Sequence, residues 1–179
     1  MAEAPICDLL AALLKYPDGD YLKAIEECQS RLQEEQPGAA GPIGRFARAV
    51  RGLSHEQRQE LFVQTFDLNP VCVLEVGWHL YGDTYDRGPF LATMRQHMRR
   101  FDVKEDSELP DHLTHTLAVL GRMEAQEANR FAAQSILPAL EKMLAGLKGK
   151  ANPYEHVLRA IQAVLLARQA RVLQEVKHD

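Results

Sequence analysis

Apolar residues recur three and four positions apart along almost the whole chain, and strict alternation is nearly absent, so the sequence reads all-α. The first periodic stretch covers residues 5–16 and stops at Pro17-Asp18-Gly19-Asp20, whose turn chemistry sends the chain into a second helix over 21–35. Gln36-Pro37-Gly38-Ala39-Ala40-Gly41-Pro42 reads as a loop, followed by a short helix over 43–51. Ser54, with Gln57 three residues later, carries a capping-box signature for a helix running to about Asp67. Asn69-Pro70 breaks the pattern, and a helix over 71–81 places Val71, Leu74, Trp78 and Tyr81 on one face. Val71-Cys72-Val73 also has strand composition, but an isolated strand finds no partner in an all-helical chain.

The polar run 82–88 separates that helix from one that starts at Pro89 and aligns Phe90, Met94, Met98 and Phe101. An acidic linker covers 101–108. Pro110 suits a helix start, which puts Asp111 in the first turn beside the positive end of the backbone dipole and His112 just behind it. That helix aligns Leu113, Leu117, Leu120 and Met123. A long helix aligns Ala133, Leu137, Leu140, Leu144 and Leu147 with Pro138 kinking it, and a last amphipathic helix after Gly149–Pro153 carries Val157, Ile161, Leu165, Val172 and Val176. The expected architecture is a single-domain helical bundle of about eight helices spanning residues 1–179, without repeats.

With 179 residues the chain is long enough to bury roughly two-thirds of its unfolded surface without staples. Cys7, Cys28 and Cys72 are odd in number, widely spaced and in apolar helical contexts, unlike a disulfide framework or a Cys-x-x-Cys metal site. No stretch reaches the roughly 20 apolar residues of a membrane span, and acidic Glu3 and Asp8 replace the basic start of an export signal. These features point to a reduced cytoplasm. A net charge of −4 argues against nucleic acid as a partner. The basic cluster Arg95, Arg99 and Arg100 reads as a solvated helix face.

Candidate chemistry gathers at Glu108, Pro110, Asp111 and His112. Adjacent residues on a helix point about 100° apart, so Asp111 and His112 are no ready-made dyad, and an aspartate at a helix start usually caps. His112 and His115 share a helix spacing, but further metal ligands are missing, and nothing calls for a bound cofactor. In the run from Gly82 to Gly88, Arg87 either pairs with Asp83 or Asp86 to shape a turn or serves a partner surface; the run is too acidic to cradle phosphate. Aromatic and methionine side chains from Phe62 to Phe101 have core spacing, and the same residue types line grooves for amphipathic peptides. From residues alone the chain is a helical interaction protein. A regulatory adaptor, or a small metal- or nucleotide-dependent hydrolase using Glu108, Asp111 and His112, stays open.

Three motifs, in order, are Phe62-Val63-Gln64-Thr65-Phe66-Asp67, His79-Leu80-Tyr81-Gly82-Asp83-Thr84-Tyr85-Asp86-Arg87-Gly88 and Glu108-x-Pro110-Asp111-His112. Together, over residues 9–123, they resemble the nitrate reductase delta-subunit chaperones of NarJ type, within the molybdoenzyme maturation group that includes TorD and DmsD. The resemblance implies a non-enzymatic chaperone with no cofactor of its own. Its partner would be the immature catalytic (alpha) subunit of a molybdoenzyme, a respiratory nitrate reductase, bound by its N-terminal segment until molybdenum-cofactor insertion. The motif residues Phe66, Asp67, Trp78, Tyr81, Asp83, Asp86, Arg87, Glu108, Pro110, Asp111 and His112 are then expected to contact the partner.

Overall fold

The computed structural model describes residues 5–175. Helices are α1 Ile6–Ala12, α2 Tyr21–Glu35, α3 Pro37–Arg51, α4 His55–Phe62, α5 Val76–Tyr81, α6 Arg87–Arg100, α7 Leu113–Leu120, α8 Ala125–Phe131, α9 Leu137–Leu147 and α10 Tyr154–Glu175. π-helical turns extend α4 over Val63–Asp67 and fuse α8 to α9 over Ala132–Ile136, giving nine continuous helices among the described residues. Val176 and Glu3, both used in the sequence reading, lie outside the described residues, as does the side chain of Val172.

The expected loop over 36–42 is helical instead. Gln36 alone breaks the chain, Pro37 occupies the first turn where a missing N–H costs nothing, and α3 runs on through Pro42. Pro42 sits one turn from the start, opposite exposed Gly38, so its ring meets a carbonyl that can tilt toward water. The reward is packing: Ala39, Ala40, Ile43, Gly44, Phe46, Ala47 and Val50 are buried, and α3 is sandwiched between α2 and α10. At the centre the Tyr21 hydroxyl donates to the Leu13 carbonyl at 2.7 Å and meets the Tyr154 hydroxyl at 3.0 Å. Phe46 and Phe66 lie 5.0 and 4.8 Å from the Tyr154 ring.

The Ser54 capping box forms as expected: Ser54 Oγ accepts from Gln57 N–H, and the Gln57 side chain accepts from Ser54 N–H. Pro138 follows the π-turn that rotates the apolar face, so Ala132 and Ile136 are buried while Ala133, expected in the core, is exposed. Leu137, Leu140, Leu144 and Leu147 are buried.

Residues 71–75 are not helical. They begin as a turn closed by Cys72 N–H on the Asn69 carbonyl, pass through bends, and reach Glu75, which forms an isolated antiparallel bridge with His112. The bridge lies beyond Val71-Cys72-Val73, which form no strand, and its partner is in the segment read as a helix start. Val71 packs on Gly146 of α9, where an added Cβ would come within 2.9 Å of the Val71 carbonyl. All three cysteines are free and buried, and desolvation pushes the Cys7 thiol to about 11 and those of Cys28 and Cys72 to about 12. No described helix is long and apolar enough to cross a membrane.

Candidate functional site

The seam between residues 74–77 and 111–113 organises the site. Val76 N–H donates to the Asp111 carbonyl at 2.9 Å, and Leu113 N–H to the Leu74 carbonyl at 2.7 Å. α7 therefore begins at Leu113, with His112 as its N-cap, and not at Pro110, which is buried before it. Asp111 is correspondingly no first-turn residue. Its side chain is fully buried and accepts from Gly77 N–H at 3.0 Å and from Arg87 through Nε at 3.1 Å and Nη2 at 3.3 Å. Arg87 pairs with neither Asp83 nor Asp86, the partners considered from sequence, but across to another motif. A two-pronged guanidinium and an amide satisfy a buried carboxylate that would otherwise be costly to desolvate. Gly77 is required by this approach: a Cβ there would sit 2.5 Å from Asp111 Oδ2.

His112 points the other way, as neighbours on extended backbone do. Its Nδ1 accepts from Thr114 N–H at 3.4 Å and faces Thr114 Oγ1 at 2.7 Å, which leaves the proton on Nε2, 3.9 Å from Glu108 Oε2. Burial, reinforced by His115 and opposed by Asp106, pushes the imidazole down to about 4. The sign left open by the sequence is thus set by desolvation. Asp111 and His112 do not form an acid–base pair, because the carboxylate is spent on Arg87 and the imidazole on Thr114. His115 Nδ1 pairs with the Leu109 carbonyl at 2.9 Å, and its Nε2 lies 3.1 Å from Asp106 Oδ1 without hydrogen-bond alignment. Among the described residues no three His, Cys, Asp or Glu side chains gather to hold a metal.

Beside His112 opens a cleft of about 630 Å³. Leu14, Tyr16, Phe62, Phe66, Val73 and Leu74 supply apolar lining, and Asp18, Asp67, Glu75, Asp106 and Glu108 surround it with a single lysine, Lys15. The π-turn brings Phe66 and Asp67 to its wall. Phe66 is 2% exposed and stacked in the aromatic core, so it presents an edge at most.

The sequence candidates thus fall into groups. Phe66, Asp67, Glu108 and His112 line the cleft; Arg87, Pro110 and Asp111 build the seam behind it. Trp78 and Tyr81 are partly exposed on α5, with Arg87 Cζ 6.0 Å from the Trp78 ring centroid and Phe90 5.6 Å from Tyr81. Asp83 and Asp86 are exposed in the loop after Gly82, whose φ of 62° makes the turn, and line no described cleft beside the others. Met94 and Met98, considered for a groove, are core. His79 is packed, its Nε2 2.7 Å from the Val73 carbonyl, and burial lowers its pKa. Arg95 and Arg100 pair with Glu105 and Glu127. Sequence reasoning missed Val73, Glu75, Asp106 and Leu109 as lining of this groove.

The family model for the nitrate reductase delta subunit matches residues 29–160. The chain is 26% identical over 152 residues to the nitrate reductase-like protein NarX of Mycobacterium tuberculosis, an alignment covering 84% of this chain and 23% of NarX. It is 25% identical over 154 residues to the nitrate reductase molybdenum cofactor assembly chaperone NarJ of Escherichia coli K12, covering 82% of this chain and 63% of NarJ. The chain therefore spans less than two-thirds of the length of either relative. The matched region contains α3 through α9, the seam and most of the cleft lining, and on that match the chain belongs to the nitrate reductase delta subunit family.

Proposed function

We propose that the protein is a cytoplasmic assembly chaperone that binds the immature catalytic subunit of a molybdenum-dependent nitrate reductase through that subunit's N-terminal segment, before cofactor insertion. The observation that carries this reading is the convergence of two family motifs, 62–67 and 108–112, on one cleft that combines apolar and acidic side chains in a delta-subunit-family chain. The third motif contributes Arg87, which ties α6 to the floor of that cleft.

A lining that mixes apolar side chains with five acids suits an amphipathic segment carrying basic residues, and burial of that segment's apolar face gives a negative heat-capacity change on binding. The chaperone's task is to hold one state of its client and release another. The cleft achieves this without chemistry of its own, because a folded client withdraws the segment. The relative NarJ, named as a molybdenum cofactor assembly chaperone, supports the same reading.

The test is co-purification from cells with and without a nitrate reductase catalytic subunit of the same organism, together with the molybdenum content of that subunit when the chaperone gene is deleted. The expected result is a complex with the immature subunit and molybdenum-poor enzyme in the deletion. Full molybdenum loading without the chaperone sinks the reading.

A further inference from the structure

We propose that the segment bound in the cleft continues over a saddle made by Asp67, Val73 and Glu75. There it seats a lysine or arginine between the two carboxylates and lays an apolar side chain beyond them against Trp78 and Leu109. This rests on the client reading above and adds to it which residues select the segment.

The cleft of about 630 Å³ and a neighbouring hollow of about 240 Å³ share Asp67, Val73 and Glu75 as common wall, so the two are lobes of one groove with a ridge between them. Across the ridge, Trp78 and Leu109 are large apolar side chains left 36% and 46% exposed. Apolar surface thus lies on both sides of the ridge, while the ridge itself carries acids. Glu75 is half-buried, Asp67 is exposed, and burial raises the carboxyl pKa of both. Neither has an ion pair with a described lysine, arginine or histidine. Arg87, the cation that acts on Glu75, is committed to Asp111.

Partly desolvated carboxylates without a salt partner carry an unrecovered cost that an incoming cation relieves. A lysine or arginine fits the ridge in both halves, its aliphatic stem on Val73 and its charged head between the acids. An acidic or purely apolar segment leaves that cost in place. The occupant is therefore a segment in which a basic residue separates two apolar stretches.

The experiment is calorimetry on the full chain with two synthetic peptides, the N-terminal segment of a nitrate reductase catalytic subunit from the same organism and the same segment with every lysine and arginine replaced by glutamine. It is run on the wild type, on Asp67→Asn/Glu75→Gln and on Trp78→Ala, each checked for an unchanged melting temperature. The expected result is that the carboxamide variant weakens the native peptide by about tenfold and leaves the glutamine peptide nearly unaffected. Trp78→Ala should weaken both peptides. A carboxamide variant that weakens both peptides alike, or neither, overturns the saddle and leaves the client reading standing. A native segment without basic residues, or full affinity in Trp78→Ala, overturns it too. Concentration-dependent self-association that disappears in the carboxamide variant assigns the ridge to a second copy of the chain instead. No saturable binding of the native peptide to the wild type removes the peptide-cleft reading and the saddle with it.

Discussion

The layer of α2, α3 and α10 and the seam between residues 74–77 and 111–113 are both buried, yet they are held by opposite means. In the layer, small residues on α3 let its neighbours close on it, and the aromatic rings of Tyr21, Phe46 and Tyr154 fill the middle. Its cohesion is non-directional and spread over many contacts. In the seam, one carboxylate, one guanidinium and a few amides fix three chain segments, so cohesion is directional and concentrated in Asp111. A region held by few directional contacts loses its arrangement when one of them goes, and in this molecule that region forms the floor of the cleft.

The largest expected effect lies in the layer. Phe46 is fully buried against Tyr21 and Tyr154, and Phe46→Ala should cost about 3–5 kcal/mol by lost transfer energy and residual cavity. Chemical denaturation measures this. Client-peptide affinity, corrected for the folded fraction, should be unchanged; a specific loss would show that layer and seam are not separable.

Asp111→Ala comes next. A capping aspartate would cost only about 0.5–2 kcal/mol, but breaking this pair strands Arg87 and the Gly77 N–H, for an expected loss of about 2–4 kcal/mol. The figure stays below that for a sealed pair because the Arg87 side chain is 20% exposed. Peptide affinity of the folded fraction should fall as well, since the strap over 73–75 loses its anchor. Asp111→Ala combined with Arg87→Leu should recover part of the stability. A double variant that is additive would mean the two residues do not act as a pair.

The same contrast explains what the sequence made legible. The layer followed from periodicity: the bounds of α2 and the buried faces of α9 and α10 were readable because apolar spacing is what builds them. The loop expected at 36–42 failed because prolines and glycines signal a break locally, while α3 is stabilised by packing on both sides. At the seam, residue types marked Asp111, His112 and Arg87 as unusual. The first-turn placement of Asp111 and the pairing of Arg87 within its own loop came out wrong, because a contact between residues 87 and 111 and a bridge between 75 and 112 leave no trace in local spacing. Asp83 and Asp86, chosen with Arg87 as one motif, stay exposed before α6, whereas Arg87, the first residue of α6, reaches Asp111.

His112 tests whether the seam tolerates charge. Its folded pKa of about 4 lies below the ordinary 6.5, so the folded state binds fewer protons than the unfolded one between those values. Its contribution is fully present above pH 6.5 and is lost as pH falls toward 4, by at most about 3 kcal/mol. Comparing melting temperatures of wild type and His112→Gln across pH 4–7 isolates this share from that of His79, whose pKa is also lowered. Parallel curves would show that His112 is not buried in its neutral form.

The smallest effect is expected at Ser54, where the cap is local and exposed, three residues past the end of α3. Ser54→Ala removes the acceptor for Gln57 N–H at 3.2 Å and loosens the reciprocal bond from Ser54 N–H to the Gln57 side chain at 2.8 Å. The expected loss is about 1 kcal/mol. α4 begins at this cap and ends in the π-turn that carries Phe66 and Asp67 to the cleft, so the helix has a locally capped start and a core-packed end. Phe62, Phe66 and the Thr65 hydroxyl, which accepts from Asn152 at 2.8 Å, hold that end independently of the cap. Stability should therefore drop slightly while peptide affinity stays at the wild-type value. Reduced affinity in Ser54→Ala at full folding would mean that the π-turn takes its position from the start of α4, and that the cleft wall is held more weakly than the aromatic packing implies.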